Sequence, residues 1–287
     1  MTVTPDVPPA RAARRGAARP TAAGRALAVL DAFGPRHRCL SLSEIARRAG
    51  LTLPTAHRLA RELVEWGALE RDSEGRYSVG LRLLELSALA PRGLELREAA
   101  FPHLEDLHQV TRGNVHLGVR DGMEVVYVEA IRARVRNPVT SRVGDRWPMH
   151  ATGTGLVLLA HAEPEFQEAV LSSPLERFNP MTVVDPAELR RTLARIRQTG
   201  VAVARGQITM PDLVVAVPVL DPVGAVTAAV SVVVEAEGAR PRELAAVLTQ
   251  ASRAISRTLG PRGRGGPPPR PTHFTHRLGT SQRAGLL

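Results

Sequence analysis

Apolar residues recur at helical spacing in three short segments between residues 24 and 66. In the first, 24–33, Leu27, Leu30 and Phe33 fall on one side. The next two follow the i, i+3, i+4, i+7 pattern that is typical of an amphipathic helix with one buried face. Their apolar positions are Leu42, Ile45, Ala46 and Ala49, and then Ala56, Leu59, Ala60 and Leu63. The pattern predicts three helices packed around a small core.

Capping residues indicate where the second and third helices begin and end. Ser41 and Glu44 have the Ser-x-x-Glu spacing of a capping box, in which each side chain accepts a hydrogen bond from the other residue's backbone N–H. Gly50 and Gly67 follow the two helices, at positions where a left-handed turn favours glycine. The two helices are therefore predicted to be short and separated by a tight turn.

A short hairpin is predicted after the third helix. Segments 69–71 and 76–79 flank the polar turn Asp72-Ser73-Glu74-Gly75. Helix, glycine turn, helix and hairpin in this order are typical of a winged helix-turn-helix, which places its last helix in the major groove of DNA. The sequence therefore predicts a DNA-binding domain over residues 21–80.

The outward side of the third predicted helix is polar and basic. Thr55, Arg58 and Arg61 follow one another at three-residue steps, and Arg71 and Arg76 flank the hairpin turn. An arginine can bond two acceptors of a guanine edge or hold a phosphate. A solvated amphipathic helix beside a hairpin is the alternative, and two glutamates dilute the positive charge. The predicted DNA-contacting residues are Ser43, Thr52, Thr55, His57, Arg58, Arg61, Arg71 and Arg76.

Beyond residue 80 the pattern changes twice. Leucines give the segment 81–95 a broad apolar side, which predicts a connecting helix that packs either on a second subunit or on its own domain. From 96 to 260, strands and helices alternate, and tight turns at 120–123 and 221–224 join pairs of strands. Strand pairs of this kind favour an antiparallel sheet with flanking helices, so the fold class is α+β.

The charge of the chain is concentrated at its two ends. The formal net charge is +10, and residues 1–94 hold 15 arginines against 9 acidic residues. The tails 1–20 and 261–287 are basic and poor in large apolar residues, so we expect both to be disordered. No run of 18 apolar residues and no secretory signal is present, which predicts a cytoplasmic protein without a membrane partner.

The sequence offers little for catalysis. It contains no Gly-x-Ser-x-Gly elbow, no His-Glu-x-x-His motif and no phosphate-binding loop with lysine. The chain has one cysteine, Cys39, so a metal site made of several cysteines is ruled out. The sequence pattern places Cys39 in a short loop before a helix. His103 and His108 are five residues apart, which is poor spacing for one metal, and His116 alternates with apolar neighbours on a strand. We therefore expect no enzymatic activity, cofactor or metal. An enzyme with an accessory DNA-binding domain is the less favoured alternative.

One helix start has the features of an anion site. The segment His150-Ala151-Thr152-Gly153-Thr154-Gly155 leads into an apolar helix. Unpaired backbone N–H groups and the positive end of the helix dipole favour a carboxylate there. An ordinary helix cap with two flexible glycines accounts for the same residues, so the spacing alone leaves both interpretations open.

Taken together, segments from both halves of the chain resemble IclR-type bacterial transcription regulators. The likeness covers residues 24 to 258 and follows the family's order through two domains. One departure is Leu53-Pro54, where members of the family often have Lys-Ser or Lys-Thr, so a phosphate contact is expected to be missing. The segments that carry the likeness are RALAVL at 25–30, LSEIARRAGL at 42–51, TAHRL at 55–59, GALER at 67–71, YSVG at 77–80, LRLLELS at 81–87, VHLGV at 115–119, DG at 121–122 and PMHATG at 148–153.

The resemblance implies an effector-binding and oligomerisation domain over 96–260, similar to the GAF and PAS sensor folds, and a dimer contact at 81–95. It also implies that a small organic or aromatic acid binds between the helix start and the late strands. Some relatives have polar residues where this chain has Ala204, Val214 and Val233, so we expect an aromatic or longer acid rather than a two- or three-carbon one. The implied effector-contacting residues are Gly153, Thr154, Ala204, Val214, Ser231 and Val233.

These features predict a ligand-responsive DNA-binding regulator of a catabolic or metabolic operon. By resemblance it is a repressor and a homo-oligomer, either a dimer or a dimer of dimers. Its expected partners are double-stranded operator DNA and a small-molecule effector. The alternative is a DNA-binding regulator whose second domain only oligomerises and binds no ligand.

Overall fold

The computed structural model describes residues 21–34, 36–89, 91–133 and 141–260. Both predicted tails, 1–20 and 261–287, lie outside the described residues. The described residues form a small helical unit with a three-stranded sheet, then two connecting helices, and then a larger unit built on a six-stranded sheet. The α+β fold class is confirmed.

The amino-terminal unit is a winged helix-turn-helix. Its three helices pack on each other around Val29, Ile45 and Leu59, all of which are buried. The small sheet is antiparallel, with strand order β1-β3-β2. The elements are α1 (Ala22–Asp31), β1 (Cys39–Leu40), α2 (Leu42–Ala49), α3 (Leu53–Trp66), β2 (Leu69–Arg71) and β3 (Tyr77–Val79).

Two details of this unit differ from the sequence prediction. Leu27, expected on the inner side of α1, is 52% exposed, and Val29 is the fully buried residue instead. Leu30 and Phe33 pack on the core as predicted, so the prediction failed at Leu27 and missed Val29. Cys39 does not lie in a loop. It belongs to the short strand β1 and pairs with Ser78 of β3.

The connecting region consists of two helices rather than one. Helix α4 (Leu81–Ser87) is followed by the long helix α5 (Pro91–Thr111), which contains Pro102. The segment 81–95 therefore contains all of α4 and the first turn of α5. The first residue of α5 is a proline, which fits the start of a helix because its missing N–H has no intrahelical acceptor there.

The larger unit is built on an antiparallel sheet with strand order β6-β5-β4-β9-β8-β7. Helices α5 and α9 pack on one face, against apolar residues of β4, β8 and β9. Helix α6 packs on the other face, with α8 behind it. The elements are β4 (Asn114–Asp121), β5 (Glu124–Ile131), β6 (Arg146–Pro148), α6 (Gly153–Ala160), α7 (Pro164–Leu171), α8 (Pro186–Thr199), β7 (Ala202–Arg205), β8 (Asp212–Leu220), β9 (Val226–Glu235) and α9 (Pro241–Thr258).

Helix α6 is the central element of this unit. All eight of its residues are buried, which explains why its sequence is apolar on every side. Thr152 caps the helix by accepting a hydrogen bond from the Gly155 N–H at 3.0 Å. A Cβ on Gly155 would collide with the carbonyl oxygen of Met149, so only glycine fits where the helix begins.

Candidate DNA-binding surface and effector site

The turn between α2 and α3 is held by the contacts expected from the sequence. The Ser41 N–H donates to the Glu44 carboxylate at 2.8 Å, and the Glu44 N–H donates to the Ser41 hydroxyl at 3.3 Å. The hydrogen bonds that the Ser41 backbone N–H and the Ser41 hydroxyl donate to the Glu44 carboxylate lower its pKa below the usual value. Gly50 ends α2 in the left-handed conformation, with φ of 66°. Helix α3 is therefore fixed at a set angle to α2.

The predicted DNA-contacting residues share the solvent side of this unit. All are exposed except Thr55, which is half-buried, and Thr55 shares a hydrogen bond of 2.9 Å with the Thr52 hydroxyl. The opposite side of α3 contributes Ala56, Leu59 and Ala60 to the core. Seven of the eight predicted residues are therefore exposed to solvent, and Thr55 is partly exposed.

Two arginines of this surface are engaged by glutamates of the same helix. Arg58 lies 2.7 Å from Glu62 and Arg61 lies 3.6 Å from Glu65, and all four side chains are at least half exposed. Exposed pairs of this type contribute little to stability. A phosphate or a guanine edge can therefore replace the glutamate at small energetic cost.

The wing is a hairpin held by its own turn. The Asp72 carboxylate accepts hydrogen bonds from the backbone N–H groups of Glu74 and Arg76, at 3.0 and 2.8 Å. The Arg71 guanidinium lies 5.5 Å from the centre of the Tyr77 ring, and Arg76 donates to the Cys39 carbonyl oxygen at 3.0 Å. Both arginines are exposed on the wing, where the sequence predicts contacts with DNA.

In the larger unit, the strands place the predicted effector residues on one face of the sheet. Ala204 of β7 pairs with Val214 of β8, which pairs with Val233 of β9. Ser231 is two residues from Val233 on the same strand, so its side chain points to the same face. Ala204, Ser231 and Val233 are buried and Val214 is half-buried. These four residues form a contiguous patch.

The start of α6 covers this patch. A Cβ on Gly153 would lie 2.6 Å from Val214 Cγ1, so the helix backbone lies directly on the sheet there. Thr154 contacts the sheet at Gly118, where an added Cβ would lie 3.5 Å from Thr154 Cβ. The first N–H groups of a helix have no intrahelical acceptor. Gly153 and Thr154, which form the start of α6, therefore lie against the face of the sheet that carries Ala204, Val214, Ser231 and Val233.

Comparison with known proteins decides which family this arrangement represents. The family model described as bacterial transcriptional regulator IclR C-terminal matches residues 89–257, and the IclR helix-turn-helix domain model matches residues 22–73. The chain belongs to the IclR family. It is a DNA-binding transcriptional regulator, and its relatives are named as regulators and not as enzymes.

Individual members of the IclR family align with most of the chain. The HTH-type transcriptional regulator XynR of Escherichia coli is 34% identical over 82% of this chain and 96% of its own length. An IclR homologue from Microbacterium hydrocarbonoxydans, solved with bound 4-hydroxybenzoate, has a TM-score of 0.80 at 38% identity, over 83% of this chain and 99% of its own. The Thermotoga maritima IclR structure has a TM-score of 0.69 at 30% identity, over 82% of this chain and 97% of its own.

The structure places further residues beside the predicted effector patch that the sequence did not identify. Asn114 pairs with Val233 and His116 pairs with Ser231, so both side chains of β4 point to the covered face. The His116 ring stacks on Tyr127 of β5, with 4.7 Å between the ring centres. Strand alternation placed His116 away from its neighbours, but the register that puts it beside Ser231 is not visible in one sequence.

Burial determines the protonation of these side chains. It lowers the pKa of His116 to about 4, with a further lowering by the charge of Arg132. It raises the pKa of Tyr127 to about 12, although the Thr154 hydroxyl acts in the opposite direction. At neutral pH the patch therefore contains a neutral imidazole and a neutral phenol. Neither adds charge beneath α6.

Neither a metal site nor a membrane span is found in the described part of the chain. No group of three or more His, Cys, Asp or Glu residues there is arranged to hold a metal ion. None of the described helices is both long and apolar enough to cross a bilayer.

Replacing Arg58 with alanine should weaken operator binding by about 1–3 kcal/mol, the range for loss of a bidentate base contact. Fluorescence anisotropy with a duplex selected from random sequence by the protein itself measures the change. Arg253→Ala, on α9, is the control. A loss that is equal on operator and random DNA would assign Arg58 to phosphate, and an unchanged midpoint would remove it from the interface.

The burial of His116 should make the free energy of unfolding depend on pH. Because its folded pKa is below the unfolded value of about 6.5, protons favour the unfolded chain, and the associated stability is lost as pH falls from 6.5 to 4. Asp212 has the opposite effect on stability as pH falls, because burial and the nearby charge of Glu235 raise its pKa to about 6. The difference in unfolding free energy between wild type and His116→Phe should therefore shift by about 2 kcal/mol in favour of the variant between pH 7 and pH 4.5. Urea unfolding at both pH values checks this, and a constant difference would refute it.

Proposed function

We propose that the chain is an effector-responsive repressor that binds operator DNA through α3 and its wing and binds an organic acid beneath α6. The observation that carries this proposal is the convergence of Gly153, Thr154, Val214, Ser231 and Val233 on one buried patch under a helix amino terminus. An anion is favoured at such a position by the N–H groups and by the helix dipole. Repression is the simplest mode, because a protein bound at an operator blocks access to the same DNA.

The favoured effector is an aromatic acid. Val214 and Val233 give the patch an apolar floor, and the buried rings of His116 and Tyr127 stand at its side. An apolar floor stabilises a ring by burying its surface, whereas a two-carbon acid has almost no apolar surface to bury. The homologue bound to 4-hydroxybenzoate supports the same class of ligand.

The proposed oligomer is a homodimer that forms through α4. Within the described residues, α4 has no buried side chain, and its leucines at 81, 84 and 86 are 68%, 66% and 41% exposed. Leu89, just beyond the helix, is 76% exposed. An exposed row of leucines on a linker between two units is typical of a protein–protein interface. A dimer also links two DNA-binding units, or reading heads, and this linkage increases the affinity for DNA.

The proposed mechanism is a population shift between two arrangements of the dimer. An effector that binds one arrangement more tightly changes the spacing of the two reading heads, and hence the affinity for operator. The coupling is reciprocal, so operator DNA must change the affinity for effector by the same factor. In this scheme, residues 21–80 form the reading head that contacts DNA, residues 81–95 form the connector, and residues 96–260 form the sensor that binds the effector.

Calorimetric titration tests the ligand class. Benzoate and 4-hydroxybenzoate are compared with glyoxylate and pyruvate, and we expect binding of the aromatic acids only. Tight binding of glyoxylate or pyruvate would overturn the assignment to aromatic acids. Absence of binding and of any thermal shift across a broad panel of acids would favour a second domain that only oligomerises.

A further inference from the structure

A cavity of about 860 Å³ opens at one end of the six-stranded sheet. It lies where α5 ends, where β8 begins and where β9 passes into α9. Its lining includes Val233 of the effector patch but no residue of α6, all of which is described. Sites for small molecules have volumes of about 300–1,000 Å³. The cavity therefore has room for a small organic molecule that does not contact α6.

Asp212 lines this cavity with a carboxyl group that lacks a partner. The residue is only 6% exposed, and its Oδ2 has no hydrogen-bond partner among the described residues. Burial without such a partner disfavours the charged form and raises the pKa of Asp212 to about 6. At neutral pH the group is nevertheless mostly ionised, and a buried charge without a counter-ion is unfavourable. A cavity occupant that donates hydrogen bonds to it would remove this cost.

A second carboxylate stands directly opposite the first. Asp212 of β8 pairs with Glu235 of β9, and both residues line the cavity. Side chains of directly opposite residues in an antiparallel sheet lie on the same face, with Cβ atoms about 4.5–5.5 Å apart. Two like charges in this arrangement repel each other, and the charge of Glu235 contributes to the raised pKa of Asp212. A cation placed between the two carboxylates would be attracted by both.

The lining of the cavity as a whole is acidic. Four carboxyl groups and two guanidinium groups line it, which gives a formal charge of −2. One of the two guanidinium groups is already engaged, since Arg240 Nη1 lies 2.9 Å from Glu243 Oε1. This charge favours a cationic occupant over an organic acid. The charged residues of the lining are Asp212, Glu235, Glu237, Glu243, Arg112 and Arg240.

The rest of the lining indicates which kind of cation fits. Leu244 and Val247 are half-buried and Val110 is 70% exposed, so the lining offers apolar surface that an alkyl chain can cover. An ammonium group has three N–H donors, enough to serve two carboxylates at once. In the part of the chain that the structure describes, no three His, Cys, Asp or Glu residues are arranged to hold a metal ion. An amine with an apolar body therefore fits the cavity better than a metal ion does.

We propose that this cavity is a second ligand site, which binds an organic ammonium ion between the Asp212 and Glu235 carboxylates. The N–H groups of the ligand donate to the two carboxylates, and its alkyl part lies against the apolar residues of α9. The site goes beyond the proposed function, because its ligand has the opposite charge to the acid assigned to the patch beneath α6. It stands or falls independently of that assignment.

The test is calorimetry on the full chain at pH 8, where Asp212 is ionised and an alkylamine is protonated. Hexylammonium is the probe, and 1-hexanol and hexanoate have the same chain without the positive charge. Wild type should bind hexylammonium at least ~10-fold more tightly than either control compound, the size expected for hydrogen bonds to charged groups.

Two variants assign the binding to the carboxylate pair. Asp212→Asn removes the buried charge with little change of shape, and Glu235→Gln does so at an exposed position where folding is not at risk. Each should weaken hexylammonium binding by at least ~10-fold, because each removes one charged acceptor. Glu165→Gln, on the exposed side of α7, removes the same charge elsewhere and should bind as wild type does.

The outcomes decide the proposal in either direction. Selective weakening in the two cavity variants, with folding confirmed by their thermal melts, supports the site. Absence of hexylammonium binding, or equal binding of hexylammonium and 1-hexanol, would overturn it. An equal loss in Glu165→Gln would reduce the effect to attraction by overall charge and would also overturn the site. None of these results changes the case for an acid beneath α6.

Discussion

Replacing both Leu81 and Leu84 with glutamate should convert the protein to monomers and lower its operator affinity by at least ~100-fold. Both leucines are about two-thirds exposed on α4, where a dimer interface is proposed. Burial of two carboxylates in an apolar contact is strongly unfavourable. Without a dimer, each reading head binds alone and the avidity gain of about 10²–10⁴ is lost.

Analytical ultracentrifugation and anisotropy on the same samples measure the two effects. Ser87→Glu is the control, since it adds one negative charge to the same helix at an exposed polar position. The control should remain dimeric with unchanged affinity. A Leu81→Glu/Leu84→Glu variant that stays dimeric would show that the leucines of α4 are not the interface.

Gly155→Val should destabilise the effector domain by ~3 kcal/mol or more. The reason is steric, because a Cβ at this position would overlap the Met149 carbonyl oxygen and approach the Thr152 hydroxyl that caps the helix. Backbone cannot move away as a flexible side chain does, so α6 must shift off the sheet. The start of α6 would then no longer cover Val214, and effector binding should be lost as well.

Differential scanning calorimetry of the full chain measures the effect, and Gly34→Ala is the control. Nothing lies within 4 Å of a Cβ placed on Gly34, so its alanine variant should melt as wild type does. An unchanged melting temperature in Gly155→Val would mean that the contact between α6 and the preceding turn is dispensable.

Local signals allowed much of the fold to be predicted from the sequence. The Ser41–Glu44 box and the turn at Gly50 are fixed by residues within a few positions of each other, and the structure has them. The shortest strands, β1 and β6, were missed because two or three residues carry no periodicity. Leu27 was wrongly placed in the core because the spacing of three apolar residues does not determine which of them packs, whereas Leu30 and Phe33 do pack there.

The effector patch was predictable only through resemblance to a family. Periodicity places Ser231 and Val233 on one face of a strand, but it does not say which strands lie beside it. The pairing of Asn114 with Val233 and of His116 with Ser231 joins residues more than 100 positions apart. The burial of Asn114 Nδ2 and His116 Nδ1 without a partner among the described residues is a tertiary property, which explains why His116 carried no signal in the sequence.

The most direct test of the account is operator binding with and without an aromatic acid. The protein is titrated onto a duplex that it has selected, in the presence and absence of saturating 4-hydroxybenzoate, at fixed salt because phosphate contacts make affinity depend on salt. We expect at least a ~5-fold change in operator affinity, and the same factor in the affinity for the acid when operator is present. Tight binding of the acid with no change in operator affinity would contradict it.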